Sequence, residues 1–257
     1  MKSEHSYSLA EHERHWQRYG VHRASRQATL AAMSSGWPAL DRLLPGGGYP
    51  IGAVTELLVA ANGIGETSLL LHGLAAQMTR FTQQRLALIA PPDALNAPAL
   101  IQAGIDCARA PIVHCRDDSE RIWCVEQMAA PDVFAAFIVW GDTLDGTALR
   151  RLQLAAEKAA CPIFVYRDIR RASERSPAAL RLAISCRVTQ GVGRQQLEVV
   201  KCRGPAGARL SGLCVDRDQP WYVPPNPVFT SGEYQPASND SGTSDVARPA
   251  FSPLGSR

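Results

Sequence analysis

The sequence predicts an α/β fold: a mostly parallel sheet with helices on both faces and antiparallel strands at one edge. Three observations carry this. Between about residues 34 and 216, strand-like and helix-like runs alternate. Runs such as "AVTELLVA" (53–60) and "VFAAFIVW" (133–140) are continuously apolar, as strands covered on both faces are. The last two runs, "LRLAISCRVT" and "QLEVVKCRG", alternate apolar and polar residues, the pattern of antiparallel strands appended to a sheet edge.

Each element has a local cause. Residues 8–19 place Leu9, His12, Trp16 and Tyr19 on one stripe of an amphipathic helix that Gly20 can end. "AVTELLVA" is a buried strand. "TSLLLHGLAAQMTR" (67–80) follows as a helix with Leu70, Leu71, Leu74 and Met78 on one side. "RLALIA" (85–90) is the next strand. Asp117 and Glu120 stand at capping-box spacing before "RIWCVEQMAA". "VFAAFIVW" ends at Gly141-Asp142, and "ALRRLQLAAEKAA" (148–160) is a helix with Ala148, Leu152, Ala155 and Ala159 on one face. Pro162 opens the strand "IFVYR". Past residue 219 the chain turns rich in Pro, Ser, Gly and Asn and loses periodicity, so a mostly disordered tail is expected. The expected division is an N-terminal helix and linker (1–33), a core domain (34–218) and the tail (219–257).

Composition narrows the function classes. A chain of 257 residues that is 46% hydrophobic and 20% charged builds one good-sized core. The seven cysteines are odd in number and lack a C-x-x-C pair, so neither a disulfide framework nor a zinc site is expected. No apolar run reaches the ~18 residues of a membrane span, and the first twenty residues lack an apolar signal core, so a cytoplasmic location is expected. A net charge of +3 is too small to argue for nucleic acid by itself. The histidines, His72 and His114 among them, read as structural or surface residues. No nucleophile–base constellation stands out.

"AANGIGETSLL" (60–70) has the cadence of a phosphate-binding loop, G-x-x-x-x-G-K-[ST], with altered chemistry. Ala60 stands at the first glycine. Gly63 and Gly65 keep the loop's glycine character. Glu66 replaces the lysine and precedes Thr67 and Ser68. A lysine there would reach phosphate; a glutamate repels it and suits the positive end of the following helix instead. The expectation is a vestigial, non-functional phosphate loop and no cofactor, with weak nucleotide binding as the other reading.

"SSGWPALDRLLPGGGYPIGAVTELLVAANGIGETSLLL" resembles the opening of RecA-type recombinases, in which a Thr-Gly/Leu-Asp/Gly-Gly/Pro-x-Gly string leads into a strand and then the phosphate loop. Ser35-Gly36, Leu40-Asp41, Gly46-Gly47-Gly48 and Pro50-Ile51-Gly52 keep that order and spacing. The likeness covers about residues 34–216. "LLPGGGYPIGAVTELL", "GIGE" and "KCRG" are similar in particular to the ImuA family, RecA-like accessory proteins of SOS-induced mutagenic DNA synthesis. Residues 110–168 also resemble the SulA family of cell-division inhibitors, which are shorter and lack the opening string.

The resemblance implies a RecA-like core of the P-loop NTPase type. The family's catalytic glutamate falls at Pro92, with Asp93 beside it. Its Mg²⁺-holding aspartate falls at Gly141, with Asp142 next, and its γ-phosphate-sensing glutamine at Arg167. These departures argue for a degenerate, non-catalytic core. The counterparts of the two DNA-facing loops are "GDTLDGT" (141–147), short and acidic, and "RDIRRASERSP" (167–177), which carries Arg167, Arg170, Arg171 and Arg175 against Asp168 and Glu174. That second loop reads as a weak, non-specific DNA contact, an acidic-partner contact or a solvated loop. Lys201 and Arg203 match residues that reach a neighbouring recombinase subunit, or are ordinary edge-strand charges. Leu9, Trp16 and Tyr19 correspond to a subunit-docking helix.

The function so implied is that of an accessory protein in error-prone translesion synthesis. The partners implied are a catalytically silent Y-family-like polymerase homologue, an error-prone alpha-type DNA polymerase and RecA, with no membrane association. A SulA-like inhibitor binding the tubulin-like division protein, a surviving ATPase and a bare DNA-binding module are the other readings.

Overall fold

The structure, a computed structural model, describes residues 31–189, 192–202 and 209–213. The expected N-terminal helix with Leu9, Trp16 and Tyr19, the segment holding Arg203 and the tail from 219 onward lie outside the described residues. In chain order the elements are β1 (Ala32–Met33), α1 (Pro38–Asp41), β2 (Tyr49–Pro50), β3 (Val54–Val59), α2 (Ser68–Arg80), β4 (Arg85–Ile89), α3 (Ala97–Gln102), a 3-10 turn (Cys107–Arg109), β5 (Ile112–Val113), α4 (Asp118–Met128), β6 (Phe134–Trp140), α5 (Gly146–Ala159), β7 (Ile163–Asp168), a second 3-10 turn (Ile169–Ser173), β8 (Leu180–Thr189), β9 (Val192–Lys201) and β10 (Arg209–Leu213).

An eight-stranded sheet runs in the order β10-β9-β8-β3-β7-β6-β4-β5. Its strands divide their side chains between two cores, as period-two alternation demands, except that Ala135 and Ala136 of β6 share one core where the pairing with β4 shifts register. Leu86, Leu88, Ala136, Ile138, Phe164 and Tyr166 join α2 on one face. Ala87, Ile89, Phe137, Val139, Ile163 and Val165 join α4 and α5 on the other. The continuous apolar runs therefore mark strands with helices on both faces, an arrangement compatible with a RecA-like fold. Among the described residues, no helix is long and apolar enough to cross a membrane.

The expected helix faces are the buried ones: Leu70, Leu71, Leu74 and Met78 on α2, and Ala148, Leu152, Ala155 and Ala159 on α5. Asp145 caps α5 by accepting the Ala148 N–H at 2.7 Å. Asp117 caps α4 through the Glu120 N–H at 2.8 Å. The return arm differs from a capping box by one residue, since the Glu120 carboxylate accepts the Arg116 N–H at 2.7 Å. Asp145→Ala is expected to destabilise the fold by about 1 kcal/mol, because an N-cap side chain satisfies an otherwise orphaned helix donor. A urea titration checks this; an unchanged midpoint would mean that water replaces the cap.

One strand direction differs from expectation. β8, expected among the antiparallel edge strands, runs parallel to β3, with Thr55 opposite Leu180 and Val59 opposite Ile184. The antiparallel extension begins only at β9, which pairs with β8 and β10. Alternation in "LRLAISCRVT" specifies a strand but carries no direction. Direction is set by the connection: β7 ends opposite Val59 and β8 starts opposite Thr55, so residues 169–179 travel back along β3. They make a strap over the α5 face of the sheet, where Ala178 joins the core.

Candidate functional site

The loop from Ala60 to Thr67 joins β3 to α2 and is built from its own polar groups. The Ala60 N–H continues the sheet by donating to the Ile184 carbonyl at 3.1 Å. Glu66 is buried, and its Oε1 accepts the Gly63 N–H at 3.2 Å. The Glu66 carbonyl accepts the Tyr166 hydroxyl at 3.1 Å, and the Ile64 carbonyl accepts Gln195 Nε2 from β9 at 3.1 Å. Gly65 has φ +83°, so the backbone calls for glycine, and a Cβ there would stand 2.7 Å from the Gln195 amide and displace the end of that side chain. Thr67 occupies the cap position of α2 without a side-chain cap bond, and Ser68 is its first residue. The carboxylate of Glu66 thus takes a donor within its own loop, while its Oε2 has no hydrogen-bond partner among the described residues. Burial first, and the nearby Glu66 charge second, push the Tyr166 phenol well above its ordinary pKa, so this hydroxyl stays a donor.

Beside the loop is a cleft of about 210 Å³ at the carboxyl ends of β3, β4, β6 and β7. That is where ligands sit in open α/β sheets. Val59, Asn62, Pro92, Trp140, Gly141 and Asp142 are among its lining residues, and Trp140 stacks on Tyr166 with ring centroids 5.4 Å apart. Pro92 and Gly141, which the recombinase likeness aligns with carboxylates, both line it, as does Asp142. Arg121 is the lining cation and is ion-paired with Asp118, whose other oxygen accepts the Thr143 hydroxyl at 2.5 Å.

Arg167 is not a surface contact. It is 1% exposed, and its guanidinium pairs with Glu56 at 3.0 Å and Glu174 at 3.1 Å and donates to the Leu144 carbonyl at 2.7 Å. Alternation along β7 puts it on the face opposite Tyr166, away from the loop, so neither a DNA-facing nor a phosphate-sensing position fits it. Glu56 itself is fully buried in β3 and is shared with Arg181 of β8 at 3.3 Å and with the Ser176 hydroxyl. Arg181 also donates to the carbonyls of Arg171, Ala172 and Glu174. The basic loop is therefore a strap tied to the sheet by a buried Arg–Glu–Arg cluster.

Two of the remaining loop arginines lie in charge pairs. Arg170 is exposed and pairs with Asp168 at 2.7 Å; Arg171 pairs with Glu174 at 2.9 Å; Arg175 is exposed. Hydrogen bonds from Arg170 hold the Asp168 carboxyl below its ordinary range. Asp142, Thr143, Asp168, Arg170, Arg171 and Glu174 line a second cleft of about 440 Å³, where the two loops meet. Arg170 and Arg171 thus share this cleft with Asp142, Asp168 and Glu174, which weakens attraction for a phosphate backbone. Lys201 is half-buried and its Nζ donates to the Ser176 carbonyl at 2.6 Å, anchoring the strap from β9. His72 packs on Trp37 with ring centroids 4.9 Å apart, and His114 is exposed.

Glu56, Arg181, Ser176, Tyr166 and Gln195 were not singled out by motif or resemblance. Two of them left a signal. A glutamate inside the apolar run "AVTELLVA" and an arginine inside "LRLAI" each need a buried counter-charge. Gln195 and Tyr166 left none, because their role depends on which strand lies beside the loop.

Comparison with curated proteins finds similarity to Protein ImuA of Caulobacter vibrioides in two strains, 32% identical over 139 residues. The match covers 52% of this chain and 57% of that protein, so the chain spans little more than half the length of the curated relatives it matches. The likeness to ImuA read from the opening string is borne out by this relative. No family model matches the chain.

Proposed function

We propose that this chain, a relative of Protein ImuA, is a non-catalytic RecA-like accessory protein of damage-induced, error-prone translesion DNA synthesis that works through protein–protein contacts. The observation that carries the non-catalytic part is Glu66, whose buried carboxylate accepts the Gly63 N–H inside the loop where a phosphate would seek that donor. A nucleotide phosphate does not fit this loop: it would meet a like charge, and no cation stands in the loop to offset it. Pro92 and Gly141 in the adjoining cleft supply no carboxylate at the two positions that the recombinase likeness aligns with one, and Asp142 is the carboxylate that lines it. The partners proposed are the catalytically silent Y-family-like polymerase homologue, the error-prone alpha-type polymerase and RecA.

The expected result is no ATP turnover above background and poor nucleotide binding by the full-length protein. Turnover that disappears on changing Gly65 or Thr67 would overturn the reading. Glu66→Lys alone is expected to leave turnover absent, since the carboxylate missing at Pro92 is still missing. The partner half is tested by mixing the purified protein with each proposed partner and with the tubulin-like division protein. Binding to the division protein alone would favour the SulA-like reading.

A further inference from the structure

We infer that Asn62 is a modification site: its side-chain amide is converted to aspartate or isoaspartate by attack of the Gly63 nitrogen, with Glu66 taking the proton. Asn62-Gly63 is the only asparagine–glycine pair in the chain. An asparagine side chain can close on the nitrogen that follows it as a succinimide ring, and glycine, lacking a Cβ, leaves that approach open. Asn62 is exposed and lines the cleft, and Gly63 takes φ +77° with open space where a Cβ would stand, so water reaches the pair. The attacking nitrogen already faces a base. The Gly63 N–H donates to Glu66 Oε1 at 3.2 Å, within the ~2.6–3.2 Å reach that a general base needs. Glu66 is buried, and its Oε2 has no hydrogen-bond partner among the described residues, which leaves that oxygen uncommitted. Asn96, the other asparagine among the described residues, offers a contrast. It is followed by Ala97, and its Oδ1 accepts the Ala99 N–H at 3.1 Å as the cap of α3.

The Gly63 nitrogen attacks Asn62 Cγ, and its proton passes to Glu66 Oε1. The bond from Cγ to Nδ2 breaks, and the departing nitrogen takes that proton and leaves as ammonia. A succinimide then joins residues 62 and 63, and Glu66 is again a carboxylate. Water opens the ring. Breaking the bond from the Gly63 nitrogen to Cγ gives aspartate. Breaking the bond from that nitrogen to the main-chain carbonyl carbon gives isoaspartate, with the backbone routed through Cγ. Overall, one side-chain amide and one water give one carboxylate and one ammonium. Either product puts a further negative charge on a cleft already lined by Asp142. Isoaspartate also lengthens the backbone of a loop whose far end, at Ala60, is bonded to the sheet through the Ile184 carbonyl.

The test is incubation of the full-length protein at neutral pH, with tryptic peptide maps taken at intervals. Trypsin places Asn62 in residues 43–80. The expected product is that peptide with the mass gain of an amide-to-acid change, localised to Asn62 by fragmentation and separated by chromatography into aspartate and isoaspartate forms. Conversion is expected to run faster in the folded protein than in the same chain held in guanidinium chloride, where the Glu66 contact is lost. In Glu66→Gln, whose amide can accept the Gly63 N–H but cannot take its proton, the rate is expected to fall by about tenfold or more. Conversion no faster in the folded than in the denatured chain, or an equal or faster rate in a folded Glu66→Gln variant, would overturn the inference. If Glu66→Gln folds poorly, the comparison of folded with denatured wild type decides the matter.

Discussion

Glu56→Ala is expected to destabilise the fold by about 3–5 kcal/mol, the scale for removing one partner of a buried ion cluster. The charge is fully buried and is shared by Arg167, Arg181 and the Ser176 hydroxyl. Without it, two nearly inaccessible guanidinium groups face each other across the end of β3 with only the half-exposed Glu174 nearby. The strap of residues 169–179 is the element that loses its anchor. Hydrogen exchange should therefore rise there more than in α2, on the far face of the sheet. The control is Arg170→Ala, which removes an exposed pair and should stay within about 0.5 kcal/mol. Equal urea midpoints for wild type and Glu56→Ala would show that water or a rearranged Glu174 replaces the buried carboxylate.

Gly73→Ala is expected to destabilise by about 1–3 kcal/mol, as overpacking does. Helix propensity alone predicts the opposite sign, since alanine is favoured over glycine inside a helix by about 1 kcal/mol. The reason is contact: a Cβ on Gly73 in the middle of α2 would stand 2.3 Å from the Ser34 carbonyl oxygen and 3.1 Å from the Ser35 carbonyl carbon. These are backbone atoms of a segment that cannot easily yield. Asp41 accepts the Ser35 N–H at 2.8 Å and the hydroxyls of Ser34 and Ser35 at 2.6 Å each. Trp37 donates its indole N–H to the Leu69 carbonyl of α2 at 3.1 Å. A stabilised Gly73→Ala variant in thermal or urea unfolding would mean that residues 34–36 move freely.

The Gly73 site shows what the opening string is for in this chain. Ser35, Gly36, Leu40 and Asp41 read as a family signature, and the structure gives them packing work: they fold the segment before β3 against α2. Leu40 is fully buried, and Gly36 takes φ +79° with His72 at its back. The signature was legible because hydrogen bonds and close approaches of this kind need particular residue types at particular spacings.

The sequence by itself determined the α/β class, the two-faced burial of β3, β4, β6 and β7, the apolar faces of α2 and α5, and the Asp117 cap of α4. All follow from local period and side-chain chemistry, which a linear chain displays directly. It also displayed Glu66 after the glycines of the loop that follows β3. Only the tertiary structure decided the direction of β8, because alternation is the same read in either sense. Only it decided that Arg167 turns inward to Glu56, more than a hundred residues away in the chain, while Arg170 turns outward to Asp168. Neighbouring residues of one arginine-rich stretch look alike in sequence. What separates them is the pleat of β7 and the path of the strap over β3, and both depend on contacts between distant parts of the chain.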